Sequence, residues 1–166
     1  MTTSRLSLRI LPLLLFLGAT VFVSCSKEKS FGNWLTRGEG TWNVLNMEER
    51  FIEFINATDS LPGPYISSTP LNGTFSFSEA GAISFLVYSE ALELDMEGDG
   101  SYTLEEDLFQ HVERIQSANS GEITTTIQGF KVESKRMIVM MRVEHRNAAN
   151  RLEIAHDIEM LLERVN

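Results

Sequence analysis

The chain has 166 residues, of which 14 are Lys or Arg and 23 are Asp or Glu, giving a net charge of −9 at neutral pH. A surface of that sign repels nucleic acid and anionic lipid headgroups, and no basic run interrupts it, so no nucleic-acid partner is expected. One cysteine excludes an intramolecular disulfide, and stability must come from packing.

Residues 1–9, "MTTSRLSLR", carry Arg5 and Arg9 and no acid. The next fourteen residues, Ile10 to Val23, form an uncharged apolar run. As a helix it would reach only ~21 Å, short of a ~30 Å hydrocarbon core, and Pro12 and Gly18 weaken it further. A basic flank, a short apolar run and small residues beyond it form the secretory-signal pattern rather than a transmembrane span.

The small residue Ser24 directly precedes the lone cysteine in "VFVSCSK". This arrangement resembles the lipobox of bacterial lipoproteins, with Phe22 where that family usually has Leu. The resemblance implies cleavage after residue 24, diacylglyceryl transfer to the sulfur of Cys25, further acylation by chains such as palmitate, and a membrane partner reached through that anchor. Ser26 follows the cysteine instead of an inner-membrane retention Asp, which favours the outer membrane of the cell envelope. An ordinary secreted protein with a free thiol is the rival reading, and a lone thiol is an unusual choice in an oxidising compartment. The organisation is then a signal peptide over 1–24, a lipidated tether over 25–38 and one domain over 39–166. Losing Arg5 and Arg9 leaves 12 basic residues against 23 acidic ones and a mature net charge near −11.

The tether "SKEKSFGNWLTRG" is polar apart from Phe31, Trp34 and Leu35, which either pack on the domain or touch the membrane surface, packing being favoured. Beyond it the dominant pattern is alternation, the period of a half-buried strand. "GTFSFSEAGAISFLVYS" reads as a hairpin with Phe75 and Phe77 facing Ile83, Phe85 and Val87 around a Gly81 turn. "ALELDMEGDGSYTLEE" reads as a second, turning at Gly98-Asp99-Gly100. "LEEDLFQHVERIQ" leaves a short helix over 104–117 open, since Thr103 and Glu106 make a capping box. "EITTTIQGFKVESKRMIVMMRVEH" is a third hairpin with Met137, Val139, Met141 and Val143 on one face and a bulge or bend at Gly129. In "RLEIAHDIEMLLERV", alternation of Leu152, Ile154, His156, Ile158, Met160 and Leu162 outweighs a helical stripe and predicts a strand over 151–165.

Gly40-Thr41-Trp42, the succession of hairpins and the closing strand "EMLLERV" together resemble the small lipocalin-like lipoproteins of Gram-negative bacteria. The resemblance implies an all-β domain, an antiparallel meander closing into an eight-stranded up-and-down barrel. It also implies that Trp42 sits at one end of the barrel beneath Arg164 from the last strand. Trp42 as a plain core aromatic is an equal alternative. Closure would hide the edges of so many short strands, and eight strands leave room for side chains or one small ligand.

Chemistry-bearing motifs are few. Asp95 to Glu106, "DMEGDGSYTLEE", resembles an EF-hand calcium loop, but position 3 is Glu97, no helix-forming stretch precedes it and no second loop exists. An acidic β-turn is the favoured reading. His111, His145 and His156 show no zinc spacing, so no metal is expected, and Met137, Met140 and Met141 read as core filling rather than a copper site. Glu48-Glu49 and Glu105-Glu106 point to opposite faces of a strand and read as solvated charges. Asn56-Ala57-Thr58 and Asn72-Gly73-Thr74 match the N-glycosylation sequon by chance in a bacterial setting, and Asp59-Ser60-Leu61 is similar to an O-glycosylation motif. With no nucleophile elbow or phosphate loop, neither an enzyme nor a cofactor is expected. The expected function is a membrane-anchored lipocalin-like module binding a small apolar ligand. The alternative is an envelope structural or protein-interaction module with a filled barrel and no ligand.

Overall fold

A computed structural model describes residues 27, 29–56, 58–70, 73–117 and 121–165. Cys25, the signal segment and Asn72 lie outside the described residues. Among the described residues one helix, α1 (Lys27 and 29–36), precedes eleven strands. They are β1 (Thr41–Phe54), β2 (Ser60–Pro62), β3 (Ile66–Ser68), β4 (Thr74–Phe77), β5 (Ala82–Ser89), β6 (Leu94–Ser101), β7 (Thr103–Glu105), β8 (Leu108–Ser117), β9 (Gly121–Lys131), β10 (Arg136–Arg146) and β11 (Leu152–Arg164). The all-β, antiparallel reading holds, with a single short helix.

The hydrogen-bonded order is β6-β5-β4-β1-β11-β10-β9-β8-β7, while β2, β3 and β4 share one edge of the long strand β1. The sheet curls until β4 and β8 meet across the interior, where the rings of Phe77 and Phe109 lie 4.8 Å apart at 67°. Its ladder does not close into eight strands. Strands β6 and β7 form the two ends of the path although only Tyr102 separates them in sequence. A side chain bridges the seam instead: His111 Nδ1 on β8 lies 2.8 Å from Ser101 O on β6. Tyr102, between β6 and β7, is tied back to the β4–β5 turn, its N donating to Gly81 O at 2.9 Å and its hydroxyl to Ser78 O at 3.0 Å.

Residues 108–117 form a strand, not a helix. They pair in continuous register with β9, from Leu108 with Phe130 to Ser117 with Gly121. Sheet pairing overrides the capping-box signal, and Thr103 Oγ1 donates across the hairpin to Gln110 O rather than to a helix end. The helical turn count is spent earlier, in α1, where Phe31, Trp34 and Leu35 fall at i, i+3 and i+4 and are all buried in the main core. They pack on the domain, as favoured.

Gly98-Asp99-Gly100 is mid-strand, paired with Phe85, Ser84 and Ile83, and the β5–β6 turn falls at residues 90–93. These glycines make room for rings: a Cβ on Gly98 would sit 2.7 Å from Phe85 Cζ, and one on Gly100 2.5 Å from His111 Cε1. Gly129 does the same beneath Phe109, 2.2 Å from Cε1, and pairs in register with no bulge. The real register shifts are at Val44/Asn46 in β1 and at His145/Arg146 in β10.

Predicted alternation is borne out in β10 and β11. Met137, Val139 and Met141 face the core with Ile158, Met160 and Leu162. Fully burying side chains of this size contributes about 1.5–3 kcal/mol each.

Candidate binding site at the open end of the curled sheet

The two ends of the curled sheet are built differently, and the β1–β11 register orders them. Trp42 pairs with Arg164 at one end and Glu53 with Ile154 at the other. At the first end α1 acts as a plug. Its C-terminal carbonyls have no intrahelical partners, and the sheet supplies them: the Arg164 guanidinium donates to Trp34 O at 2.7 Å, and the Trp42 indole donates to Leu35 O at 3.0 Å. Arg164 lies over Trp42 at 4.7 Å and over Trp34 at 5.1 Å, the stacking that the sequence resemblance implied. Trp34 is further fixed by its indole, which donates to Ser134 O at 2.8 Å. Gly38, Glu39 and Gly40, all at positive φ, then turn the chain into β1. At Gly40 a Cβ would fall 1.9 Å from Phe77 O, so no other residue fits. This end is filled.

The other end is hollow. A cavity of about 420 Å³ is lined by Phe51, Phe85, Met141, Val143 and His156, with Asp95, Glu97 and Glu113 also contributing. No Lys or Arg is among its lining residues. Strands β1, β5, β6, β8, β9, β10 and β11 all contribute, so this is the mouth of the curled sheet rather than a surface crease.

A buried polar cluster stands beside the cavity. Glu49 alternates with Met47 and Phe51 along β1 and is 0% exposed. Its Oε2 accepts from the Ser89 hydroxyl at 2.7 Å, and its Oε1 accepts from Glu90 N at 2.9 Å and Ala91 N at 3.2 Å. Ser89 Oγ in turn accepts from Leu92 N at 3.1 Å, so one carboxylate organises the whole β5–β6 turn. His156 Nε2 lies 3.0 Å from Glu49 Oε2 at ion-pair distance, without hydrogen-bond alignment. The imidazole is 3% exposed and stacks on Phe51 at 4.2 Å. Its Nδ1 is buried with no hydrogen-bond partner. Burial lowers the His156 pKa below its ordinary value, with Glu49 and Asp157 opposing the shift.

Sequence reasoning misplaced some of these groups. Glu48 and Glu49 do point to opposite faces, but only Glu48 is solvated; the signal for Glu49 was its phase with Met47 and Phe51. The register shift at His145/Arg146 pairs His145 with Ile154, so His145 and His156 line one cavity from neighbouring strands. Ser89 and Glu49 contact each other, but the hydroxyl is buried and touches no imidazole nitrogen, so no nucleophilic triad is formed.

Asp95–Glu106 spans two strands rather than a loop, and the described residues hold no group of three or more His, Cys, Asp or Glu placed for a metal. Met137 and Met141 are core and Met140 is exposed on the outer face. Ser60 is exposed on β2, and Asn56 is held in a turn by its Oδ1, which accepts from Thr58 N and Asp59 N. Among the described residues no helix is long and apolar enough to cross a membrane. Compared with known proteins, the chain matches no family model and no curated sequence.

Proposed function

We propose that this chain is a membrane-anchored bacterial envelope lipoprotein whose lipocalin-like barrel holds a small apolar ligand at its open end. The single observation that carries the binding reading is the cavity of about 420 Å³, lined by Phe51, Phe85, Met141 and Val143. That volume falls in the range of ligand sites, and the mainly apolar wall with a few polar groups is their usual composition.

The anchor rests on the N-terminal sequence: Arg5 and Arg9, the apolar run and Ser24-Cys25. Each acyl CH₂ buried contributes ~0.8 kcal/mol, so two or three chains would make attachment effectively permanent. Because α1 is already helical at Lys27, two residues after Cys25, and plugs one end, the barrel would hang from its filled end with the mouth facing away from the bilayer.

Two experiments test the two halves. A neutral polarity-sensitive dye should brighten and saturate near one per chain; no saturable signal contradicts ligand binding. Cys25→Ser should shift the protein from the detergent phase to the aqueous phase and remove the lipid mass. Unchanged partitioning and mass contradict the anchor.

A further inference from the structure

We infer that the ligand of this cavity is an apolar molecule with a cationic, hydrogen-bond-donating head, an alkylamine in chemical class, and not a fatty-acid anion. The inference rests on the binding reading above and adds the polarity of the ligand. Two independent observations carry it.

The first is the orphaned nitrogen. His156 lines the cavity, its ring is 3% exposed, and Nδ1 has no partner. Nε2 faces the Glu49 carboxylate at 3.0 Å, where a lone pair would be repelled, so the neutral ring carries its proton on Nε2. Nδ1 is then left as a bare acceptor. A buried acceptor without a donor costs free energy, and a ligand N–H or O–H would remove that cost. A carboxylate head offers no such donor at neutral pH.

The second is the charge of the wall. Glu113, in phase with the inward-facing Phe109 and His111 on β8, lines the cavity, and no Lys or Arg is among the described residues of its wall. An anionic head entering here meets a like charge; an ammonium meets a partner and the faces of Phe51 and Phe85. An alcohol satisfies the nitrogen but not the wall. A protonated amine satisfies both.

The test uses the purified full chain and three ten-carbon probes, decylamine, decanol and decanoate, each below its micelle concentration. The ring signal of His156, assigned by its loss in His156→Phe, reports the cavity; the seam residue His111 serves as the internal reference. Decylamine should move the His156 signal at about tenfold lower concentration than decanoate, with decanol between. Glu113→Gln, outside the buried core, should narrow that gap several-fold. Equal potency, or decanoate acting first, overturns the head-group inference and leaves the cavity as an apolar site. An unmoved His156 signal with all three probes overturns the binding reading, and this inference with it.

Discussion

Arg164, the last residue of β11, lies 4.7 Å above the ring of Trp42, its register partner on β1, while donating at 2.7 Å to Trp34 O at the end of α1. One guanidinium therefore joins the first strand, the last strand and the helix that plugs this end of the curled sheet. Burial and the nearby Arg37 pull its pKa down from the ordinary value, so the site holds a charge at a cost that the two rings and the carbonyl offset. Arg164→Met keeps the bulk of the stem and removes both interactions. We expect a loss of about 2–4 kcal/mol in urea unfolding, with the α1 amides losing protection first. Arg164→Lys should recover less than half, since an ammonium cannot fork between ring and carbonyl.

Glu49 gives a second prediction. Its carboxylate accepts three hydrogen bonds from the β5–β6 turn, two of them from backbone amides. Glu49→Ala leaves those donors without their acceptor and should cost about 2–4 kcal/mol. Hydrogen exchange should show the loss locally, with faster exchange at Glu90 and Ala91 than at the β10–β11 ladder. Uniform acceleration across the sheet would mean that the carboxylate does not organise the turn.

The pH dependence follows from His156. Burial lowers its folded pKa below the ordinary 6.5, so the unfolded chain binds a proton that the folded chain refuses. Above 6.5 this residue contributes no slope. As pH falls from 6.5 toward the lowered folded value, the unfolded state gains protons first and stability drops. The melting temperature of the wild type should therefore fall more steeply between pH 7 and pH 5 than that of His156→Phe, measured side by side. A steeper fall in the variant would contradict the sign.

The ring-over-glycine pairs predict non-additivity. Gly129→Ala puts a Cβ into Phe109, and Gly98→Ala does the same to Phe85. Each single substitution should destabilise by about 1–3 kcal/mol through overpacking. In the double substitution Gly129→Ala with Phe109→Leu, the loss should be smaller than the sum of the singles by about 1 kcal/mol, read from a double-mutant cycle.

Legibility in the sequence followed the polarity of the inward face. Strand β11 was readable because Ile158, Met160 and Leu162 alternate with Glu159, Leu161 and Glu163. Strand β8 was not, because His111 and Glu113 occupy its inward phase beside Phe109 and mimic a polar surface. Glycine misled in β6, where Gly98 and Gly100 imitate a turn while serving rings from neighbouring strands, a partner no local window contains. Helix α1 was hidden by tether-like composition although its three apolar residues already stood at helical spacing. The site was least legible: Glu49 and His156 are cross-strand neighbours on β1 and β11, but Ser89 reaches Glu49 from β5, a strand that β1 does not pair with.

Native mass spectrometry of the protein as isolated from producing cells tests the central claim, occupancy of the open-end cavity, most directly. The expected result is a discrete non-covalent adduct of small-molecule mass, retained on the wild type and lost from Val143→Phe, whose added ring fills the cavity beside His156. The bare chain mass in both proteins, under conditions that preserve weak complexes, would contradict it.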